Sequence, residues 1–86
     1  TELIDMPNVG PVLASNLRNA GIDSPEELIR IGSRKAFARI RQTADPGACL
    51  HMLYGLEGAI QGIADSLLTT ECRAELKSFF RELDGR

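Results

Sequence analysis

Cysteine, histidine and tyrosine are scarce in this chain, and each shortage removes a class of chemistry. Cys49 and Cys72 are the only cysteines in 86 residues; they are too far apart for a CxxC redox pair and lack the repeated spacing of a zinc site. On separate predicted helices, they are expected to be buried, reduced thiols. His51 is the lone histidine. Without a second His or a correctly spaced acid it is expected to be a packed or capping imidazole, and no metal is expected. No apolar run approaches the ~20 residues of a membrane span, and no signal-peptide pattern is present. These absences point to a cytoplasmic protein with no membrane contact. Paired carboxylates, a nucleophile beside a base, and glycine loops of the Walker or dinucleotide type are missing as well, so neither an enzyme nor a cofactor site can be assembled.

What is present is the composition of one small domain. Charged residues make up 26% and apolar residues 43%, which is globular and not disordered. A single domain over 1–86 should bury roughly 60 to 65% of its unfolded surface. Period-two alternation never runs for a useful length, and no internal repeat or linker divides the chain. The expected fold class is therefore all-α, a compact domain of five or six helices. The chain opens on Thr1 in place of Met, and an N-terminal domain outside it is expected among its partners.

A short turn over 1–6 should direct Leu3, Ile4 and Met6 inward. A helix over 11–20 carries Leu13, Leu17 and Ala20 at i, i+4 and i+7 as its buried stripe. Ser24-Pro25-Glu26-Glu27 has capping-box order with Pro25 at the first helical position, the best-defined helix start in the chain. That helix, with Leu28, Ile29 and Ile31 as its apolar side, is expected to end at Gly32. Ser33 then caps another that turns Ala36, Phe37 and Ile40 inward. Asp45 as cap and Pro46 as first residue predict the longest helix, to about 64, with Cys49, Met52, Leu53, Leu56, Ala59, Ile60 and Ile63 in one apolar arc. Gly55, Gly58 and Gly62 share a strip of it, at a propensity cost of ~2 to 3 kcal/mol against alanine. Close approach of another helix is expected to offset that cost. Thr69 should cap a final helix over 70–83 that buries Cys72, Leu76, Phe79, Phe80 and Leu83.

Met6-Pro7-Asn8-Val9-Gly10-Pro11-Val12-Leu13-Ala14, closed by Ala20-Gly21-Ile22, reads as a tight hairpin between two helices. Pro7 disfavours helix at Met6, Asn8 and Gly10 tolerate positive φ, Pro11 suits a first helical turn, and Gly21 stops the helix. Such a turn leaves unpaired N–H groups at the positive end of a helix dipole. Over about 3–22 the pattern resembles the helix-hairpin-helix motif, a sequence-independent binder of DNA backbone, and implies a SAM-like N-terminal half. Asn8, Val9 and Gly10, helped by Arg18, are the candidate phosphate contacts. Arg30, Arg34, Lys35, Arg39 and Arg41 follow with no acid among them, so Arg34, Lys35, Arg39 and Arg41 are candidate flanking charges. A net charge of −2 opposes strong general affinity for nucleic acid. Tyr54, Glu57 and Gln61 form a candidate partner surface: the lone tyrosine offers an apolar ring with a polar tip, and the other two lie one turn apart.

Pro7-Asn8-Val9-Gly10-Pro11-Val12-Leu13-Ala14, Ser24-Pro25-Glu26-Glu27-Leu28 and above all Cys49-Leu50-His51-Met52-Leu53-Tyr54-Gly55-Leu56-Glu57-Gly58-Ala59-Ile60-Gln61-Gly62-Ile63 resemble the C-terminal domain of the TfoX/Sxy family, over nearly the whole chain. The resemblance implies a bacterial, non-enzymatic regulatory module associated with switching on natural competence genes. A protein is the main partner expected. The alternative is weak, sequence-independent DNA contact through the hairpin and the basic stretch 30–41.

Overall fold

The computed structural model describes residues 2–85. Their order is a 3-10 turn Leu3–Asp5, α1 (Pro11–Asn19), α2 (Pro25–Thr43), α3 (Leu50–Gln61), a second 3-10 turn Asp65–Leu67, and α4 (Thr70–Asp84), with no strand among the described residues. Packing is densest between α2 and α3, while α1 lies on α2 and α4 on α3. Phe37, Ile40 and Leu28 of α2, Leu53 and Leu56 of α3, Leu17 of α1 and Leu76 of α4 are fully buried together with Ile22. The stripe expected on α1 is buried as read, at Leu13, Leu17 and Ala20.

Local chemistry explains where the helices start and stop. Ser24 Oγ accepts the Glu27 N–H at 3.1 Å and Thr69 Oγ1 accepts the Cys72 N–H at 3.0 Å, so α2 and α4 begin on the caps read from the sequence, each worth about 1 kcal/mol. Glu27 does not complete a capping box; its carboxylate turns to Arg30 instead. Gly21, at φ +86°, ends α1, with the Ile22 N–H reaching back to the Leu17 carbonyl.

Several expectations are corrected. The five or six helices become four, because the opening segment is only a 3-10 turn and 25–43 counts as one helical element; its backbone nonetheless leaves the helical conformation at Gly32 (φ +86°, ψ 163°), where the sequence placed the end of one helix and the start of the next. The segment 3–22 accordingly holds one α-helix and no helix pair, so neither a two-helix hairpin nor a SAM-like motif is formed there. The third helix starts at Leu50, not Pro46, because Asp45 is consumed by a turn: its Oδ1 accepts the Gly47 N–H at 3.1 Å and its carbonyl accepts the Ala48 N–H. Cys49 thereby becomes an exposed N-cap residue outside the core, and Cys72 is half-buried. Ile4 and Ile29, expected inward, are about half exposed, at 49% and 54%. Leu68, unassigned from the pattern, is buried.

Candidate functional site

Asn8 joins the two ends of the chain's most unusual region. Its backbone takes φ +68°, the left-handed conformation that Asn tolerates better than most residues. The side chain reaches residues 47 to 57 positions away: Nδ2 donates to the carbonyls of Gly55 (3.3 Å) and Ile63 (3.0 Å), and Oδ1 accepts the Asp65 N–H (3.1 Å). Gly58 is where this latch fits. A Cβ there would stand 2.5 Å from Asn8 Nδ2 and 2.9 Å from the Ile63 carbonyl oxygen. The glycine strip is thus covered by an asparagine and the chain leaving α3, in place of the helix expected. A Cβ added at Gly55 would meet Asn8 Cβ at ordinary contact distance, 3.6 Å. Gly62 belongs to a different category: at φ +78°, with nothing within 4 Å, it is the left-handed stop of α3, where Ile63 N–H reaches the Gly58 carbonyl.

Beside the latch, α1 and α3 begin at the two sides of one open groove of about 540 Å³, lined by Pro11, Val12, Leu13, Cys49, His51 and Met52 with Asn8, Gly10, Gly55 and Asp65. Val12 is 73% exposed, the most exposed of the large hydrophobic residues. Gly10 and Cys49 are the N-caps of α1 and α3, and neither supplies a side-chain bond; neither helix has an acid in its first turn. α2 and α4, by contrast, have both a hydroxyl cap and first-turn glutamates. The groove therefore has an apolar floor between two helix starts that carry neither a side-chain cap nor a first-turn acid. The carboxylate that lines it, Asp65, faces His51 at 3.5 Å. His51 is exposed and forms this pair, not the packed imidazole expected. Among the described residues no group of three His, Cys, Asp or Glu could hold a metal, and no helix is long and apolar enough to cross a membrane.

The residues proposed for phosphate contact are not gathered. Asn8, although exposed, commits its side chain to Gly55, Ile63 and Asp65, and Val9 is buried with its N–H on the Met6 carbonyl. Arg18 lies in the last turn of α1, about 10 Å along the axis from the Gly10 end. Arg34 and Arg41 face α4: Arg34 is 4.0 Å from Glu75, while Arg41 pairs with Asp84 at 2.7 Å and lies over the rings of Phe37 and Phe80. Lys35 and Arg39 remain exposed one turn apart on another face of α2.

In the proposed partner surface Gln61 is exposed, while Tyr54 and Glu57 are half-buried and make contacts within the domain. Glu57 accepts the Ser33 hydroxyl at 2.6 Å and the Gln61 amide at 2.7 Å, and Gln61 also points at Cys72 Sγ, 3.9 Å away. Ser33, buried just past the Gly32 kink, thus ties α2 to α3. Burial, reinforced by the nearby Glu57 charge, pushes the Cys72 thiol up from its ordinary range and keeps it protonated. Tyr54 is half-buried, with the Arg73 guanidinium 5.5 Å over its ring. The groove itself went unread in the sequence; its signal was the lack of Ser, Thr, Asp or Asn at both helix starts.

Comparisons with known proteins agree with this architecture. The family model described as "TfoX C-terminal domain" matches residues 1–80. The crystal structure of an uncharacterized protein from Listeria monocytogenes, in a triclinic form, is 43% identical over all of this chain and 97% of that one, with a TM-score of 0.96. A tetragonal form of a protein of unknown function from the same organism is 44% identical over 94% of this chain and 99% of that one, with a TM-score of 0.91. No curated protein matches the chain.

Proposed function

We propose, from the premise that this chain belongs to the TfoX C-terminal domain family, that it is a non-enzymatic regulatory module of the competence-regulator type which acts in the cytoplasm through protein contacts. The observation that carries this reading is the groove between the starts of α1 and α3, apolar in its floor and lined by no Lys or Arg. Apolar concavities suit side chains of a protein, whereas a phosphodiester backbone is met by bases and hydrogen-bond donors. The dispersal of the basic residues supports the same choice. Arg34 and Arg41 face acids of α4 within the domain, which lowers the charge left for a nucleic acid.

The test uses the full-length gene product in its own cells, with a photo-crosslinker at Val12 and, separately, at Lys35. Crosslinks to one recurring protein from Val12 support the reading. Binding of duplex DNA that persists at physiological salt and disappears in Arg34→Glu with Lys35→Glu would replace it with the nucleic-acid alternative.

A further inference from the structure

We infer that the outer flank of α2 past the Gly32 kink, at Lys35, Ala38, Arg39 and Gln42, is a second contact surface whose occupant is an acidic helical segment of a protein partner, with two carboxylates one turn apart. The surface is separate from the groove. The inference rests on the protein-contact reading only in taking a protein as the occupant.

Charge complementarity carries it, and the domain already shows the mode of contact once. Between Ser33 and Thr43 four cations stand without an acid, and the helical period divides them. Arg34, Ala38 and Arg41, at i, i+4 and i+7, share the flank that α4 covers; Lys35, Arg39 and Gln42 repeat that spacing about 100° further round. On the covered flank Glu75 lies 4.0 Å from Arg34 and Asp84 lies 2.7 Å from Arg41, while Phe80 and Leu83 of the same helix pack against the core. α4 is thus an acidic, partly apolar helix seated on a basic one. The next flank has the cations without the cover. Lys35 and Arg39 are exposed, and neither has a carboxylate within 4.0 Å among the described residues. Glu27 feels the Arg39 charge, but its carboxylate is hydrogen-bonded to Arg30.

Beside this flank runs an open cleft of about 280 Å³, lined by Ala38, Arg41, Gln42, Leu83 and Asp84. It admits an aliphatic side chain against Ala38 and Leu83, so the surface matches the two kinds of group that α4 itself brings. A nucleic acid fits less well. Two uncovered cations one turn apart fall short of the several phosphates that stable backbone binding engages, and Glu75 and Asp84 would repel the rest of a polyanion.

The probe is an alanine-rich helical peptide of about 16 residues, long enough to hold a helix in water, with glutamates at i and i+4 flanking a leucine. Its control has glutamine at both positions. Each is titrated into the isotope-labelled chain while amide shifts are followed. The expected result is saturable movement of the Lys35, Ala38, Arg39 and Gln42 amides by the glutamate peptide, with the glutamine peptide about fivefold weaker, since two exposed ion pairs carry the difference. That preference should shrink as salt is raised. Lys35→Gln with Arg39→Gln should keep the parent's melting temperature and lose the preference, whereas Lys35→Arg with Arg39→Lys should retain it. Equal binding of the two peptides, shifts confined to another face, no saturable shift, or a preference that survives the glutamine double variant overturns the inference. If it fails in one of these ways while Val12 still crosslinks to one recurring protein, the protein-contact reading of the groove stands alone. If short duplex DNA moves these four amides at physiological salt and the glutamate peptide does not, the face belongs to nucleic acid and both readings fall.

Discussion

The two edges of α3 are held in contrasting ways. At one, Asn8 grips three backbone groups through a neutral side chain that stands over a missing Cβ at Gly58. At the other, α4 is fastened by one fully buried residue, Leu76, by half-buried Cys72, Phe79, Phe80 and Leu83, and by Arg41 lying over the rings of Phe37 and Phe80 while paired with Asp84. The first fastening is directional and sterically exact in register, so it tolerates little change in shape and is indifferent to salt. The second is built of soft contacts and charges near solvent, so it adapts to substitution but weakens with ionic strength. Rigidity in a small domain is thus located by hydrogen bonds to backbone, and adhesion by apolar area.

The largest effect is expected where the latch has no room. Gly58→Ala should lower stability by about 2 to 3 kcal/mol in chemical denaturation, because the new methyl meets a backbone carbonyl as well as the Asn8 amide. An alanine variant as stable as the parent would show that Asn8 and the 63–65 segment shift freely, and the contrast would dissolve. Asn8→Ala comes next, at about 1.5 to 2 kcal/mol, from lost hydrogen bonds that are partly exposed and from a left-handed φ that alanine dislikes. Asn8→Gly keeps the φ and should recover about half of that loss. Neither loss should change between low salt and ~1 M salt.

Arg41→Met sharpens the other side. It should cost about 1 kcal/mol at low salt, and less as salt is raised, because ion pairing and ring contact are both partly solvated. A salt-independent cost would mean that α4 is held by packing alone. The smallest effect is expected at Glu27, where the hydrogen-bonded Arg30 guanidinium holds the carboxyl below its ordinary value of 4.5. A depressed folded-state value means that the pair's contribution is present above the unfolded value and is lost as pH falls through the folded one. Glu27→Gln should leave the neutral-pH melting temperature nearly unchanged and make the decline below pH ~4.5 shallower.

What could be read from the sequence is what is local. Ser24-Pro25 and Thr69 mark their helices because a cap acts within three residues, and Gly21 stops α1 by its own φ. Asp45-Pro46 misled for the same reason in reverse. Its letters fit a cap, but Gly47 lets the backbone close a turn on the Asp45 carboxylate first, and the helix waits until Leu50. The glycine strip was visible as periodicity, yet nothing within α3 tells that its cover comes from Asn8, about fifty positions earlier, or that Gly62 is a stop and not an interior glycine. The groove was hidden because it is made by two helix starts that lie 39 positions apart at Gly10 and Cys49; only their meeting gives it meaning.

The hydrogen bond from Asp65 to Asn8 also has a meaning in time. Contacts among α2, α3 and the turn between them close short loops, whereas Asn8 must find partners across 47 to 57 residues, an entropic cost that favours docking of the N-terminal segment after the helical pair. The Asp65 amide is covered by that docking alone. Its deuterium uptake therefore reads the opening of the N-terminal segment directly, separately from global unfolding read at Leu53 and Leu56. Because the groove is walled by Pro11–Leu13 on that same segment and by Asp65 itself, a ligand seated there would slow exchange at the Asp65 amide.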